Sequence, residues 1–99
     1  MEITISSNVI TIDGNIKSVS DFQKIKQLLD QAIIQHNSIV INITNSLSIT
    51  SSVIGYLNKL ALKDGINIQM RVGNSQLLSL LEDLSLTATF NAKEFDFDN

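Results

Sequence analysis

The segment that most narrows what this chain can fold into is SIVINI, residues 38–43. It is a short, β-branched, nearly unbroken apolar run, and helical periodicity stands on either side of it. Such a run suits a central strand, and without evident alternation it predicts cover on both faces. Upstream, Phe22, Ile25, Leu29, Ala32 and Ile33 share one face of a helix over residues 19–35. Ser18 ahead of Asp21, or Ser20 ahead of Gln23, offers the cap, and His36-Asn37 closes the helix. Downstream, Val53, Ile54, Leu57, Leu60 and Ala61 form a second amphipathic helix ending near Lys63-Asp64-Gly65, where Gly65 suits a left-handed terminator. Strands joined through helices run parallel with right-handed crossovers.

The flanking segments extend this unit. EITISSNVITID, residues 2–13, alternates Ile3 and Ile5, then Ile10 and Ile12, about a Ser7-Asn8 turn, which reads as a hairpin. INIQMRV, residues 66–72, alternates Ile66, Ile68, Met70 and Val72 with Asn67, Gln69 and Arg71, so one face of that strand is wet. A third helix follows Gly73-Asn74, with Leu77, Leu78, Leu80, Leu81 and Leu84 inward. LTATF, residues 86–90, reads as a last strand, and residues 91–99 as a weakly ordered acidic tail whose Phe95 and Phe97 dock. The expected fold is α/β, with one domain spanning residues 1–99. Its order is β-β-α-β-α-β-α-β, giving a mixed four- to five-stranded sheet with three main helices.

Composition excludes several function classes. The net charge is −3 and the seven basic residues are scattered, so no phosphate-tracking nucleic-acid surface is expected. Cysteine is absent, which removes disulfides, thiol nucleophiles and thiolate metal sites. MEITISSNVI has an acid near its start and no basic n-region, and no apolar run approaches bilayer length, so a cytoplasmic protein without membrane insertion is the expectation.

Little in the chain points to catalysis. The glycines at 14, 55, 65 and 73 are too far apart for a phosphate loop. His36 is the only histidine and falls at a helix C-terminus, where a cation suits the dipole. Glu82 and Asp83 are neighbours and do not share a helix face. Asp96 and Asp98 flank Phe97 without calcium-loop spacing. The expectation is therefore a non-enzyme with no catalytic residue, cofactor or metal.

What remains is TNSLSITSS, residues 44–52. Asn45 and Ser46 supply turn chemistry. Thr50, Ser51 and Ser52 each suit an N-cap. The same position also suits a phosphoryl group, beside free amides and the positive end of the dipole. In its run from strand through loop to helix, IVIN followed by TSSVIGYL, the chain resembles the STAS domains of sulfate transporters and anti-sigma factor antagonists. Their usual pattern is a strand ending in Asp, then Asp-Ser-Ser-Gly-Leu-Gly-x-Leu opening a helix. Gly55 and Leu57 match the second Gly and the Leu. TIDGNI is similar to the family's early strand, and KDGINIQMRVGNSQLLSLLEDLSL to its later strand and helix. The departures are Asn42 and Thr50 at the two acidic positions and Val53 at the first Gly. The family's last helix is reduced to AKEFDFDN.

The resemblance implies a regulatory protein-binding module. Ser51 would be the phosphoacceptor, with Ser52 second, and Thr50, Ser51, Ser52, Val53, Ile54 and Tyr56 would form the partner surface. The implied partner is a serine kinase or anti-sigma-type ATPase, released when Ser51 is phosphorylated. The alternative it implies is a constitutive subunit or adaptor of a transporter ATPase or signalling scaffold, in which the serine is only a cap. Tyr56 suits the core as well as it suits an interface, and the oligomeric state is left open.

Overall fold

The computed structural model describes residues 1–97. The chain opens as the expected hairpin of β1 (Glu2–Ser6) and β2 (Val9–Asp13), with Ile3 opposite Ile12 and Ile5 opposite Ile10. Helix α1 covers Val19–Gln35. Of the two candidate caps, Ser18 is the one used: its hydroxyl accepts from the Asp21 amide at 3.0 Å, and the Asp21 carboxylate accepts from the Lys17 amide at 3.1 Å. That return bond holds the Asp21 carboxyl below its usual range. His36 is the C-cap, and β3 (Ser38–Ile43) follows. Helix α2 (Ser51–Asn58) runs directly into a π-helical turn over Lys59–Lys63. Asp64 closes that turn, and Gly65 takes the left-handed conformation at φ +69°.

Strand β4 (Asn67–Val72) lies parallel to β3, and β3 lies parallel to β2. After helix α3 (Ser75–Asp83) the sequence reading departs from the structure. Residues 87–90, expected as strand, form the short helix α4 (Thr87–Phe90). The Leu86 and Phe90 side chains, one helical turn apart, are both buried, and the Phe90 amide donates to the Leu86 carbonyl at 3.0 Å. The last strand is instead β5 (Ala92–Glu94), inside the segment expected as a loose tail. It pairs parallel with Met70–Val72. The Phe95 amide donates to the Val72 carbonyl, and the Phe95 ring packs on Phe97 at 4.9 Å. Phe97 lies against Gly73, but Phe95 stays 45% exposed, so the expected docking holds for the backbone and Phe97 and only partly for the Phe95 ring. Asp98 lies outside the described residues.

The result is an α/β domain with a five-stranded mixed sheet in the order β1-β2-β3-β4-β5. Strand order equals chain order, so every crossover steps in the same direction. Right-handed crossovers then lay all the helices on one face. Burial follows: Ile39, Ile41 and Ile43 on β3, and Ile68, Met70 and Val72 on β4, are buried beneath them. Ser38, Val40 and Asn42 are only half-buried, and Asn67, Gln69 and Arg71 are exposed. The two-sided cover expected for β3 is therefore absent, and the wet face expected for β4 extends across the sheet. Val40 had disguised a strict period of two. The helix layer closes with Leu77 and Leu81 of α3, whereas Leu80 and Leu84, expected inward, are 36% and 48% exposed.

Candidate functional site

The connection between β3 and α2 is stitched to the connection between β2 and α1 by its own hydroxyls. The Thr44 hydroxyl donates to the Asp13 carboxylate at 2.9 Å. Ser46, 1% exposed, accepts from the Ile16 and Ser48 amides and donates to the Ser48 carbonyl. The Ser48 hydroxyl donates to the Ile16 carbonyl at 3.0 Å, and the Leu47 amide donates to the Asn15 side chain at 2.9 Å. These bonds satisfy polar groups that a loop passing over buried Ile16 would otherwise strand.

The N-cap of α2 is Thr50. Its hydroxyl accepts from the Val53 amide at 3.3 Å, and its carbonyl accepts from the Ile54 amide at 3.1 Å. Sequence alone left Thr50, Ser51 and Ser52 equivalent as caps. The structure separates them, because Ser51 and Ser52 occupy the first two helical positions with exposed side chains. Neither hydroxyl is hydrogen-bonded among the described residues. Their amides are orphan donors of the helix start, and no acid stands in the first turn. Along the run from Thr44 to Ser52, then, the fold uses the hydroxyls of Thr44, Ser46, Ser48 and Thr50, and leaves those of Ser51 and Ser52 available.

The remaining expected partner residues divide. Ile54 is half-buried at the edge of the core, but Val53 is 2% and Tyr56 8% exposed, so both face inward. Val53 and Tyr56 thus support the surface from beneath. Tyr56 packs edge-on against Phe22 and donates to the Asp30 carboxylate, which Lys26 also engages at 2.8 Å. Burial, and then the bond to Asp30, push the Tyr56 hydroxyl well above the ordinary phenol range. Burial raises the Asp30 carboxyl, but the Lys26 and Tyr56 hydrogen bonds outweigh it and the net shift is downward.

Two surface features escaped the sequence reading. Leu47, in the loop before α2, is 54% exposed, and Leu62, in the π turn, is 75% exposed. Helical spacing puts Ser51, Gly55, Asn58 and Leu62 on the outward stripe of this element. No Asp, Glu, Lys or Arg stands between Asp30 and Lys59, so the stripe is uncharged until its C-terminal end. Gly55 keeps it low: a Cβ there would meet nothing within 4 Å. The interruption of the charge pattern was visible in the sequence as the signal for this surface. Asn42, at one of the two positions where the resemblance places an acid, lies on the open sheet face. Its side-chain amide donates to the Thr11 hydroxyl at 3.4 Å, while its buried Oδ1 has no partner among the described residues.

No helix among the described residues is long and apolar enough to cross a membrane. The chain matches no family model, and neither the curated proteins nor the solved structures include a significant match to it.

Proposed function

We propose that this domain is a regulatory protein-binding module of the STAS type. The outward stripe of α2 binds a partner, and phosphorylation of Ser51 releases it. The observation that carries this reading is the division of labour among the hydroxyls: four hold the fold together, while Ser51 stands exposed at the start of an uncharged helix face. A phosphoryl group on Ser51 would add about −1.5 to −2 charge to that face at neutral pH. The helix dipole tolerates such a charge, worth about 0.3–1 kcal/mol in favour. A partner packed on Leu47, Gly55 and Leu62 does not, because its contact surface must then desolvate the new charge. The domain itself performs no chemistry in this reading. Its partner is a serine kinase of the anti-sigma ATPase type, which both docks on the stripe and modifies it.

One observation favours a second reading, a permanent adaptor or subunit. Asn42 and Thr50 are neutral where antagonist domains carry acids, and Thr50 is committed to capping. Affinity capture with wild type, Ser51→Ala and Ser51→Asp separates the two. A switch retains the same ATPase on wild type and Ser51→Ala and loses it on Ser51→Asp. Equal retention by all three variants defeats the switch and leaves the adaptor.

A further inference from the structure

The open face of the sheet carries a groove unrelated to the α2 surface. It has a volume of about 460 Å³ and is lined by Asn67, Gln69, Met70 and Arg71 of β4, by Asn91 at the end of α4 and by Lys93 of β5. It exists because β5 pairs only with Met70–Val72, so the first half of β4, paired with β3 on one side, has no strand on the other among the described residues. Asn91, left-handed at φ 49°, partly closes the gap by donating from its side chain to the Ile68 carbonyl at 2.8 Å.

The charges in this groove are unbalanced. Arg71 and Lys93 are register partners on adjacent strands, so their side chains leave the sheet together on the same face. Like charges placed side by side on a sheet repel. Two lysines elsewhere are paired, Lys26 with Asp30 and Lys59 with Asp64, while Lys17, Lys24 and Lys63 stand singly without an ion pair among the described residues. Of the cations, only Arg71 and Lys93 are placed side by side in register. No ion pair joins Arg71 or Lys93 to a carboxylate among the described residues, and no carboxylate lines the groove. The Arg71 guanidinium is held instead over the Phe95 ring, 5.3 Å from its centre. That contact positions the group without neutralising it. In a chain of net charge −3, an adjacent uncompensated cation pair ringed by side-chain amides is a local reversal of sign.

From this geometry we infer that the groove binds a phosphate group. Two adjacent cations match the charge of a phosphate monoester dianion. The planar Arg71 fork can engage two of its oxygens, Lys93 supplies a point charge, and the Gln69 and Asn67 amides offer further donors. The favourable free energy comes from charge-assisted hydrogen bonds to the two cations, and neutralising the Arg71–Lys93 repulsion adds to it. The phosphate could belong to a free soluble ligand or to a lipid headgroup.

The test is an amide-resolved NMR titration of the full chain with inorganic phosphate, against sodium chloride at matched ionic strength. The expected result is saturable shifts at Gln69, Arg71, Asn91 and Lys93. Affinity should fall by about tenfold or more in Lys93→Gln and be lost in the Arg71→Gln, Lys93→Gln double variant, each checked as folded by its own spectrum. Co-sedimentation with phosphatidylcholine vesicles, with and without phosphatidic acid, sorts the source. Pelleting that needs phosphatidic acid and both cations assigns a headgroup. Phosphate binding without pelleting assigns a soluble ligand. The inference is overturned if phosphate produces no more than the chloride effect, if the shifts centre on the Ser51 and Ser52 amides, or if the double variant binds as wild type does.

Discussion

The separation of Thr50 from Ser51 at the start of α2 makes a stability prediction that is independent of any partner. Thr50→Ala removes the acceptor for the Val53 amide. Caps of this kind are worth about 1 kcal/mol, and the long 3.3 Å bond places this one toward the lower side of that figure. In a domain of this size the loss corresponds to a fall in Tm of about 4–8 °C per kcal/mol. Ser51→Ala removes a hydroxyl with no hydrogen bond and should change stability by less than about 0.5 kcal/mol. Ser51→Asp places a carboxylate beside the orphan amides of a first turn that has no acid. It should gain about 0.3–1 kcal/mol at low salt, and the gain should shrink as salt rises. The expected ranking is therefore Ser51→Asp at or above wild type, Ser51→Ala level with wild type, and Thr50→Ala below both. Urea unfolding followed by far-ultraviolet circular dichroism, at low and high salt, measures all four proteins. A loss in Ser51→Ala as large as that in Thr50→Ala would refute the assignment of the cap. A destabilised Ser51→Asp would refute the claim that this helix end accepts negative charge. The ranking matters for function, because lost binding by a folded Ser51→Asp protein then reports on the surface alone.

Ser46→Ala strands the buried Ile16 amide and should cost about 1–3 kcal/mol in the same unfolding assay. Two glycines should answer alanine with opposite signs. At Gly73 a Cβ would stand 2.5 Å from the Thr44 carbonyl oxygen, so the β3 and β4 exits must move apart and stability must fall. At Gly55, exposed and unobstructed, Gly→Ala should stabilise α2 by about 0.5–1 kcal/mol and should weaken partner binding by raising the stripe. The Tyr56–Asp30 pair should make stability depend on pH at both extremes. The lowered Asp30 carboxyl contributes stability that is present above its unfolded value near 3.8 and lost as pH falls through its folded value. The raised Tyr56 hydroxyl contributes stability that is complete below its unfolded value of 10.0 and declines as pH rises beyond it. Tyr56→Phe should flatten the alkaline limb, and an unchanged alkaline limb in that variant would show that Tyr56 is not its source.

Much of the architecture could be read from apolar periodicity, because the strands β2 to β4 and the helix α1 bury one side chain set each. The bounds of α1 and β3 follow from the Ser18 cap and from the Ile39, Ile41 and Ile43 series. The failures have physical causes. Thr87, Thr89 and Phe90 have strand preferences, but burying Leu86 and Phe90 together requires a helical turn, and tertiary packing overrides local propensity there. The strand β5 pairs through its backbone at the sheet edge, and its Lys93 and Glu94 side chains stay exposed, so no apolar alternation marks it. Leu80 and Leu84 fit helical spacing but lie outside the stripe that Leu77 and Leu81 bury. At the candidate site, the hydroxyl-rich run pointed to the correct loop. It could not tell which hydroxyls the loop consumes, because the bonds of Ser46 and Ser48 reach back to Ile16, thirty and thirty-two residues earlier. Nor could spacing alone settle that Tyr56 faces Asp30 rather than a partner.

The most direct test of the account is to locate phosphate on the protein isolated from the cells that make it. Trypsin cuts after Lys26 and Lys59, so a single peptide carries Ser38, Thr44, Ser46, Ser48, Thr50, Ser51 and Ser52. Fragment-ion sequencing of that peptide can assign the modified residue. If Ser51 is the switch, a fraction of the protein carries phosphate on Ser51 and none on Thr44, Ser46, Ser48 or Thr50. Phosphate on one of those four, or a peptide that is unmodified under every growth condition, would contradict that reading.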